Sequence, residues 1–243
     1  MKRILVIGES CKDIFVYCKA SRLAPDLPVP VLEIEYSVEN PGMAMNVHLN
    51  IKKLFSDCDL HTNTDWKKIT KTRYVHNETN HSFLRVDTAH DIESIVYEEI
   101  PTGYDLVVIA DYNKGFLSEE VIQKICQTNE QVFLDTKKRL GTWAEDATFI
   151  KINNYEYNRS LPFIGNSLAE KIIRTNGGYG SVFRGKEFPV TKVEVKDSSG
   201  AGDTFMAALA VNYLRSKDIE QSIIFANRCA EKIVTKRGVN IIW

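Results

Sequence analysis

One stretch decides how the chain is interpreted: Asp197-Ser198-Ser199-Gly200-Ala201-Gly202-Asp203-Thr204-Phe205. The residues before it, 188–195, alternate apolar and polar side chains and predict a strand, and the alanine-rich run 205–211 predicts a helix. Gly200 and Gly202 therefore lie at a turn that opens a helix. Such a turn binds anions, because its N–H groups are unpaired, the helix dipole is positive there, and small residues let a phosphate approach the backbone.

Asp203 in this turn has two interpretations. It would stabilise the helix end electrostatically, and it could also take a proton from a bound hydroxyl as a general base. From these residues alone we prefer a capping acid beside a tight glycine turn, because short motifs often occur by chance.

Length and composition exclude several classes of protein. The chain has 243 residues, 44% hydrophobic and 26% charged, which predicts one α/β domain with a full core. A formal net charge of -1 gives no positive field for nucleic acid. The five cysteines are scattered without zinc-ligand spacing, which indicates free thiols in a reducing cytoplasm. No apolar run approaches the roughly 20 residues that span a bilayer, and the first apolar run is too short for a signal peptide, so we expect a cytoplasmic protein.

Strands and helices are predicted to alternate along most of the chain. The predicted strands lie at 4–7, 31–36, 70–75, 82–87, 106–110, 131–135 and 147–152. Helices are predicted at 47–54, after Ser118, after Asp203 and after Ser222. The β segments at about 14–40 and 70–100 interrupt the alternation and predict a small lid. Asp13 is expected in a loop after the first strand, at the sheet edge where open α/β sheets bind ligands.

Taken together, these pieces resemble the ribokinase/PfkB carbohydrate kinase family. Residues 197–205 are similar to its signature D-x-x-G-A-G-D-x-F. The segments 21–31, 41–47, 84–87, 111–115 and 225–227 resemble the branch of D-glycero-D-manno-heptose-7-phosphate kinases. The matches run from residue 4 to about 242, so the resemblance implies one ribokinase-like kinase domain over 1–243. Its fold would be a three-layer, mostly parallel α/β sheet with helices on both faces, plus the β lid.

The resemblance also implies roles for individual residues. Gly200, Ala201 and Gly202 would line an anion hole, and Asp203 would be the catalytic base. The sugar or sugar phosphate would be bound by Asp13, Gly42, Asn46, Lys114 and Arg85. The nucleotide, ATP, would be bordered by Thr175, Gly178, Gly180 and Asn227. Asn153 and Glu156 would place Mg²⁺, and a monovalent cation is a further candidate cofactor.

A phosphorylated acceptor would require an additional cationic site. The available cations near the predicted ligand-facing ends are Arg22, Arg85, Lys114, Lys137 and Lys138. Each of them alone is more often a solvated surface charge. We favour Lys114, because it lies within residues 111–115, which match the family's D-Y-x-K-G segment.

The chain departs from the family pattern in three places. Met43 stands where the family has glycine, and Lys151 and Ile152 replace a threonine and a proline. Only residues 55–69 separate the predicted first helix from the lid hairpin, where the family has a longer α/β segment. The sequence therefore predicts a shortened kinase.

Several functions stay open at this point. The first is an ATP-dependent kinase for a heptose 7-phosphate, and the second is a kinase for another sugar or sugar phosphate. A catalytically inactive sugar- or nucleotide-binding homologue is the third, although such a protein has no need of Asp203. A dinucleotide-dependent oxidoreductase is disfavoured because no G-x-G-x-x-G follows the first strand. Apolar lid residues in 29–32 and 83–84 predict a homodimer that pairs lid to lid.

Overall fold

The computed structural model describes residues 2–88 and 91–242. The strands are β1 Ile4–Gly8, β2 Ser10–Leu23, β3 Pro30–Met43, β4 Cys58–His61, β5 Thr70–His76, β6 Ser82–Asp87, β7 Leu106–Asp111, β8 Val132–Thr136, β9 Phe149–Asn153, β10 Ile172–Thr175, β11 Ser181–Phe183 and β12 Lys186–Phe188. The helices are α1 Ala44–Leu54, α2 Glu119–Thr128, α3 Asn154–Ser160, α4 Asn166–Ala169, α5 Ala201–Ser216 and α6 Ile219–Val234.

The larger sheet has eight strands in the order β12-β11-β10-β9-β8-β7-β1-β4. The strands from β4 to β10 in this order are parallel, and β11 and β12 add an antiparallel edge. β1, β7 and β8 are entirely buried, because a parallel sheet covered on both faces needs apolar side chains on both.

Alternate residues of the central strands point into two separate cores. Ile4 and Val6 pack with α1, α5 and α6, whereas Leu5 and Ile7 pack with α2 and α4. The helices therefore lie on both faces of the sheet, and the predicted three-layer α/β fold is confirmed. The five cysteines are buried free thiols. In the described part of the chain, no helix is long and apolar enough to cross a membrane.

The smaller sheet, called the lid below, has the strand order β3-β2-β5-β6. β2 and β3 form a long antiparallel hairpin, β2 pairs with β5 in parallel, and β5 and β6 form a second hairpin. The lid strands end at Asp87. Residues 91–100 contain one 3-10 turn and no strand, and positions 89 and 90 of the predicted lid lie outside the described residues.

Two local predictions were wrong. Asp13 lies within β2 rather than in a loop, because the chain passes from β1 into the lid after the single residue Glu9. The strand predicted at 188–195 ends at Phe188. Pro189 cannot donate to a strand ladder, and the following residues line the cavity described below.

Candidate active site

A cavity of about 1040 Å³ lies between the lid, the carboxyl ends of β7 to β9 and the start of α5. One end is lined by lid residues and by the turn after β7, and the other by residues 175–180 and 190–195 and by α6. Pockets of several hundred Å³ hold small ligands, so this volume accommodates two of them side by side. The cavity lies at the carboxyl edge of the parallel strands, as open α/β folds favour.

Residues 197–202, called the signature turn below, present their backbone to the cavity. Gly200 precedes α5 with φ 80°, a left-handed conformation that favours glycine. Asp197 fixes the turn, because its Oδ1 accepts from the Ser199 N–H at 2.8 Å and its Oδ2 from the Gly238 N–H at 3.1 Å. A Cβ at Gly202 would lie 2.9 Å from Lys151 Nζ. The first turn of α5 therefore has a buried ammonium group directly beside it.

Asp203 lies in that first turn and is 8% exposed. Its Oδ2 accepts a hydrogen bond of 2.8 Å from Asn46 Nδ2, and its Oδ1 accepts one from the Tyr112 hydroxyl. Burial raises the pKa of Asp203 above its usual value, and the hydrogen bonds from Tyr112 and Asn46 oppose this rise without cancelling it. A carboxylate with a raised pKa takes up a proton more readily, which is the property a general base needs.

Asn46 is held by a buried network that joins α1 to α5. The Asn50 amide donates to the Asn46 backbone oxygen at 2.8 Å and to Asn46 Oδ1 at 3.1 Å. Asn50 Oδ1 in turn accepts from the Thr204 hydroxyl at 3.3 Å and from the Ile242 N–H at 3.0 Å. Because these bonds use the amide oxygen of Asn46 as an acceptor, its NH₂ group must face Asp203.

Tyr112 belongs to the turn after β7, which a buried acid holds in place. The two carboxylate oxygens of Glu9 accept from the Tyr112 N–H at 2.7 Å and from the Lys114 N–H at 2.8 Å. The pKa of Glu9 lies above its usual value, because burial and the neighbouring Asp111 raise it by more than the backbone hydrogen bonds lower it. The D-Y-x-K-G segment is thus fixed through a residue outside that motif.

Behind the signature turn runs a chain of buried opposite charges. Lys151 Nζ lies 2.7 Å from Asp135 Oδ2, and Lys137 Nζ lies 3.8 Å from Asp135 Oδ1 and contacts Glu156. Burial raises the pKa of Asp135, but Lys151 and Lys137 outweigh burial, so that pKa ends below its usual value. Burial also lowers the pKa of Lys137, but Asp135 and Glu156 leave it above its usual value. Lys137 therefore stays charged, and the Lys151 ammonium group lies beside the start of α5.

The two residues predicted to place Mg²⁺, Asn153 and Glu156, already make hydrogen bonds within the protein. Asn153 and Glu156 form a capping box at the start of α3, in which Asn153 Oδ1 accepts from the Glu156 N–H at 2.9 Å and Glu156 Oε2 from the Asn153 N–H at 2.8 Å. Glu156 also accepts from Lys137. Across residues 2–88 and 91–242, no group of three or more His, Cys, Asp or Glu side chains has metal-binding geometry.

Asp135 is the better candidate for contact with a cation. It is 5% exposed, it lines the cavity, and its Oδ1 has no hydrogen-bond partner among the described residues. A hard carboxylate oxygen suits Mg²⁺, which binds through one or two carboxylates and keeps several of its waters. The residues present therefore fit a magnesium ion held at Asp135, with Glu156 nearby.

The lid end of the cavity contains most of the predicted sugar-binding residues. Asp13 Oδ1 forms a 2.6 Å ion pair with Arg73, and a Cβ at Gly42 would lie 2.4 Å from Asp13 Oδ2, so this position requires glycine. Arg85 forms two 2.7 Å hydrogen bonds with Asp87. The hydrogen bonds from Arg85 lower the pKa of Asp87.

Two lysines at this end make no ion pair within the described part of the chain. They are the predicted Lys114 and the unpredicted Lys71, which is 9% exposed and lies 4.8 Å from the Tyr112 ring centre. The cavity wall here carries the cations Lys71, Arg73, Arg85 and Lys114 and the acids Asp13 and Asp87. The excess of cations suits an anionic ligand.

The four predicted nucleotide-site residues line the other end of the cavity: Thr175, Gly178, Gly180 and Asn227. Gly180 has φ 89°, and a Cβ there would lie 2.1 Å from the Phe188 backbone oxygen. The Asn227 amide donates to Ser181 Oγ at 3.1 Å and to the Phe188 oxygen at 2.9 Å. These two residues shape the pocket wall by joining β11, β12 and α6.

Sequence reasoning missed residues that act through long-range contacts. Tyr112 lies inside a matched motif that assigned it no role, and Glu9, Asn50, Lys71 and Arg73 were not predicted. The alternation of β5 carried a usable signal, because Lys71, Arg73 and Val75 occupy alternate positions and share one face of the strand.

The fold is that of the ribokinase-like class. The model of the pfkB family carbohydrate kinases matches residues 118–243, and the chain belongs to that family. It is a sugar kinase.

Similar proteins agree with this assignment. The chain is 28% identical to the bifunctional protein HldE of a Nitratiruptor species, over 97% of this chain and 62% of that protein, so it spans less than two thirds of that relative. The alignment runs over 289 positions although the chain has 243 residues, so the relative contains segments that have no counterpart here.

Solved structures share the fold at lower identity. The nucleoside kinase of Methanocaldococcus jannaschii, an archaeal member of the ribokinase family, has a TM-score of 0.74 at 20% identity over 98% of this chain and 93% of its own. Ribokinase from Thermotoga maritima has a TM-score of 0.75 at 18% identity over 98% of this chain and 95% of its own.

Proposed function

We propose that the protein transfers the γ-phosphate of ATP to a hydroxyl of a sugar phosphate, and that the acceptor is a heptose 7-phosphate. The observation that carries the proposal is the composition of the cavity. The cavity holds Asp203 and the anion-binding turn, and its lid end holds two ammonium groups that make no ion pair among the described residues. The resemblance to heptose-7-phosphate kinases and the similarity to HldE support the choice of sugar.

Asp203 is the general base of this proposal. The acceptor hydroxyl donates to its carboxylate and passes its proton to Asp203 as the oxygen attacks the γ-phosphorus, while the bond from that phosphorus to the bridging oxygen breaks and ADP leaves. Asn46 keeps the carboxylate oriented, because its NH₂ group donates to Oδ2 and its own orientation is fixed by Asn50.

The turn at 200–203 and Lys151 stabilise the charge of the phosphoryl group in transfer. The N–H groups at the start of α5 and the buried ammonium group lie beside one region of the cavity, where both favour a negatively charged phosphoryl group. When bound, Mg²⁺ would neutralise phosphate charge, and Asp135 would hold it through its Oδ1, which has no hydrogen-bond partner among the described residues.

Lys71 and Lys114 bind the phosphate that the acceptor already carries. Neither ammonium lies within ion-pair distance of a carboxylate among the described residues, and both interact with Asp87 only at longer range. A phosphate there would therefore gain two charge-assisted contacts without breaking a close ion pair. Asp13 offers its Oδ2 to the sugar hydroxyls, since Oδ1 is paired with Arg73.

The test is ADP release with a panel of acceptors: heptose 7-phosphate, ribose, fructose 6-phosphate and their unphosphorylated or phosphorylated counterparts. We expect heptose 7-phosphate to give the highest kcat/KM, and a preference for an unphosphorylated hexose would refute the acceptor. Asp203→Asn should abolish turnover and leave calorimetric ATP binding intact. Turnover of that variant at the wild-type rate would refute the base. Ligand binding without ADP release from any acceptor would instead support an inactive binding protein.

We also propose a homodimer formed through the lid. The edge strands β3 and β6 expose apolar side chains at Ile34, Tyr36, Val38, Leu84 and Val86. Unpaired strand edges with apolar side chains are favourable surfaces for association, and a two-fold axis would cover both at once.

A further inference from the structure

The two hydrogen bonds to Asp203 differ in how easily they can be broken. Asn46 is 1% exposed, and its amide is locked by Asn50, which is fully buried. Tyr112 is half-buried: its ring packs against both cores, but it also lines the cavity, so its side chain has adjacent free volume. An acceptor hydroxyl that must reach the Asp203 carboxylate can therefore displace the phenol more readily than the amide.

The position of the Tyr112 ring is the second observation. Lys71 Nζ lies 4.8 Å from the ring centre and Lys137 Nζ lies 5.7 Å from it. Lys71 lines the acceptor end, and Lys137 adjoins the buried charges behind the signature turn. The ring is therefore within reach of both the acceptor end and the charges beside the signature turn, where the attacking oxygen must lie in the proposed reaction.

The backbone at Tyr112 does not need to move for the hydroxyl to leave. Glu9 fixes the N–H groups of Tyr112 and Lys114, and Asn113 and Gly115 adopt left-handed conformations with φ 55° and 102°. Rotation of the side chain alone would release Asp203 Oδ1.

We propose that the Tyr112 hydroxyl holds the place of the acceptor hydroxyl on Asp203, and that the bound sugar replaces it there before phosphoryl transfer. This inference rests on the proposed role of Asp203 as the base. The phenol favours the ionised form of the carboxylate and orients it in the free enzyme, and in the complex the sugar hydroxyl is the donor at the same oxygen. Tyr112 is then a positioning residue for the free enzyme and has no part in the complex.

Loss of the Tyr112 hydroxyl should change the pH profile of kcat/KM but not that of kcat. The profile of kcat/KM reports groups of the free enzyme, and that of kcat reports groups of the complex. Tyr112→Phe removes a donor that lowers the pKa of Asp203 in the free enzyme, so that pKa should rise further. The acid limb of kcat/KM should therefore move to higher pH, while the acid limb of kcat should stay in place.

Other titratable groups around Asp203 are the same in the wild type and in Tyr112→Phe and cannot cause such a separation. They are Asp13 and Cys11 on β2, Lys71 on β5, Asp135 on β8, Lys137 after β8 and Lys151 on β9. Burial raises the pKa of Cys11 to about 12, so this thiol stays neutral across the working range.

The experiment measures both profiles for the wild type and Tyr112→Phe, with Mg·ATP and heptose 7-phosphate or the best acceptor of the panel. Tyr104→Phe is the control, because it removes another phenol–carboxylate hydrogen bond, of 2.9 Å to Asp59, away from the cavity. At a pH above the acid limbs, Tyr112→Phe should lower the acceptor KM by up to about tenfold, since a hydrogen bond to a charged group no longer has to be broken. The control should match the wild type.

Two results would overturn the proposal. If both acid limbs move together, Tyr112 stays bonded to Asp203 in the complex. If neither limb moves and KM is unchanged, the phenol does not compete with the acceptor. An inactive Asp203→Asn variant combined with either result refutes only the role of Tyr112, whereas an active Asp203→Asn variant refutes the base and the inference together.

A second variant tests the inference with the opposite sign. Replacing Tyr112 by 3-fluorotyrosine keeps the shape of the side chain and makes the phenol a stronger donor. The acid limb of kcat/KM should then move to lower pH and the acceptor KM should rise. A shift in the same direction as that of Tyr112→Phe would contradict the proposal.

Discussion

Asn46 Nδ2 lies 2.8 Å from Asp203 Oδ2 and joins the first turn of α1 to the first turn of α5 across 157 residues of sequence. The contact fixes the carboxylate by means of a group that cannot titrate. Since Asn50 orients the amide, two helices that pack on the same face of the sheet set the position of the base together.

We expect Asn46→Ala to lower kcat/KM by about tenfold to a hundredfold, because a hydrogen bond to a buried charged group is lost. The acid limb should also move to higher pH. Asp203 has a pKa raised by burial, activity needs its ionised form, and activity is lost as the pH falls through that pKa. Steady-state kinetics between about pH 5 and 9 would test this. Asn129→Ala, which removes an amide contact at the end of α2, should match the wild type.

Gly202→Ala should separate activity from stability. The added Cβ would lie 2.9 Å from Lys151 Nζ and displace that ammonium group from the start of α5. Gly202 does not have a positive φ, so the backbone accepts alanine. The free energy of unfolding should fall by less than the about 3–5 kcal/mol that loss of Lys151 would cost, because the ammonium group shifts but keeps Asp135 as its partner. We expect kcat to fall by at least about tenfold. Gly165→Ala, where a Cβ meets nothing within 4 Å, is the control and should leave kcat unchanged. Equal kcat for both variants would show that Lys151 does not act in the transfer.

The sequence was sufficient for the layers of the fold and insufficient for contacts between distant elements. Apolar runs such as 106–110 predict buried parallel strands because both faces of each strand are covered. The alternating pattern of 188–195 predicted a strand that does not form, because Pro189 ends the strand and the apolar residues beyond it line the cavity. Tyr112 meets Asp203 across 91 residues, and no local periodicity encodes that distance. The site could be predicted where one segment carries it, as at 197–205, and not where Lys71 reaches it from a lid strand.

The buried pair of Lys151 and Asp135 should show a strong thermodynamic coupling. The two residues are 3% and 5% exposed, so removing one partner leaves a buried charge. Lys151→Met should lower the free energy of unfolding by about 3–5 kcal/mol, and Lys151→Met combined with Asp135→Leu should recover much of that loss. Urea unfolding of the wild type, both single variants and the double variant gives the coupling energy. Simple additivity would contradict a direct interaction.

The ionisation of Asp135 should make the stability of the folded protein depend on pH. The folded-state pKa of Asp135 is lowered by Lys151 and Lys137 against the effect of burial. Its stabilising contribution is therefore complete above the unfolded pKa of about 4 and is lost as the pH falls through the folded value. Thermal unfolding of wild type and Asp135→Asn from about pH 3 to 7 should show a smaller difference in Tm at the acidic end. A difference independent of pH would exclude this carboxylate as the source.

Lys71→Met and Lys114→Met should discriminate between acceptors. Each removes one ammonium group from the lid end of the cavity, so the KM for a phosphorylated sugar should rise by about tenfold or more. The KM for the same sugar without its phosphate should change little, because that acceptor never contacted the ammonium group. Lys53→Met, on the exposed face of α1, is the charge-matched control. An equal rise in KM for both acceptors would show that the lysines shape the cavity and do not bind the phosphate.

A lid-to-lid dimer should depend on the apolar residues of β3 and β6. Ile34 is 64% exposed and Leu84 is 53% exposed, and burying such side chains in a two-fold interface contributes roughly 25 cal/mol per Å². We expect light scattering to give a dimer mass for the wild type and a monomer mass for Ile34→Glu combined with Leu84→Glu, because each interface would then bury four carboxylates. Val96→Glu changes a residue that is 56% exposed outside the lid and should stay dimeric. A wild-type monomer, or a double variant that remains dimeric, would exclude this surface as the interface.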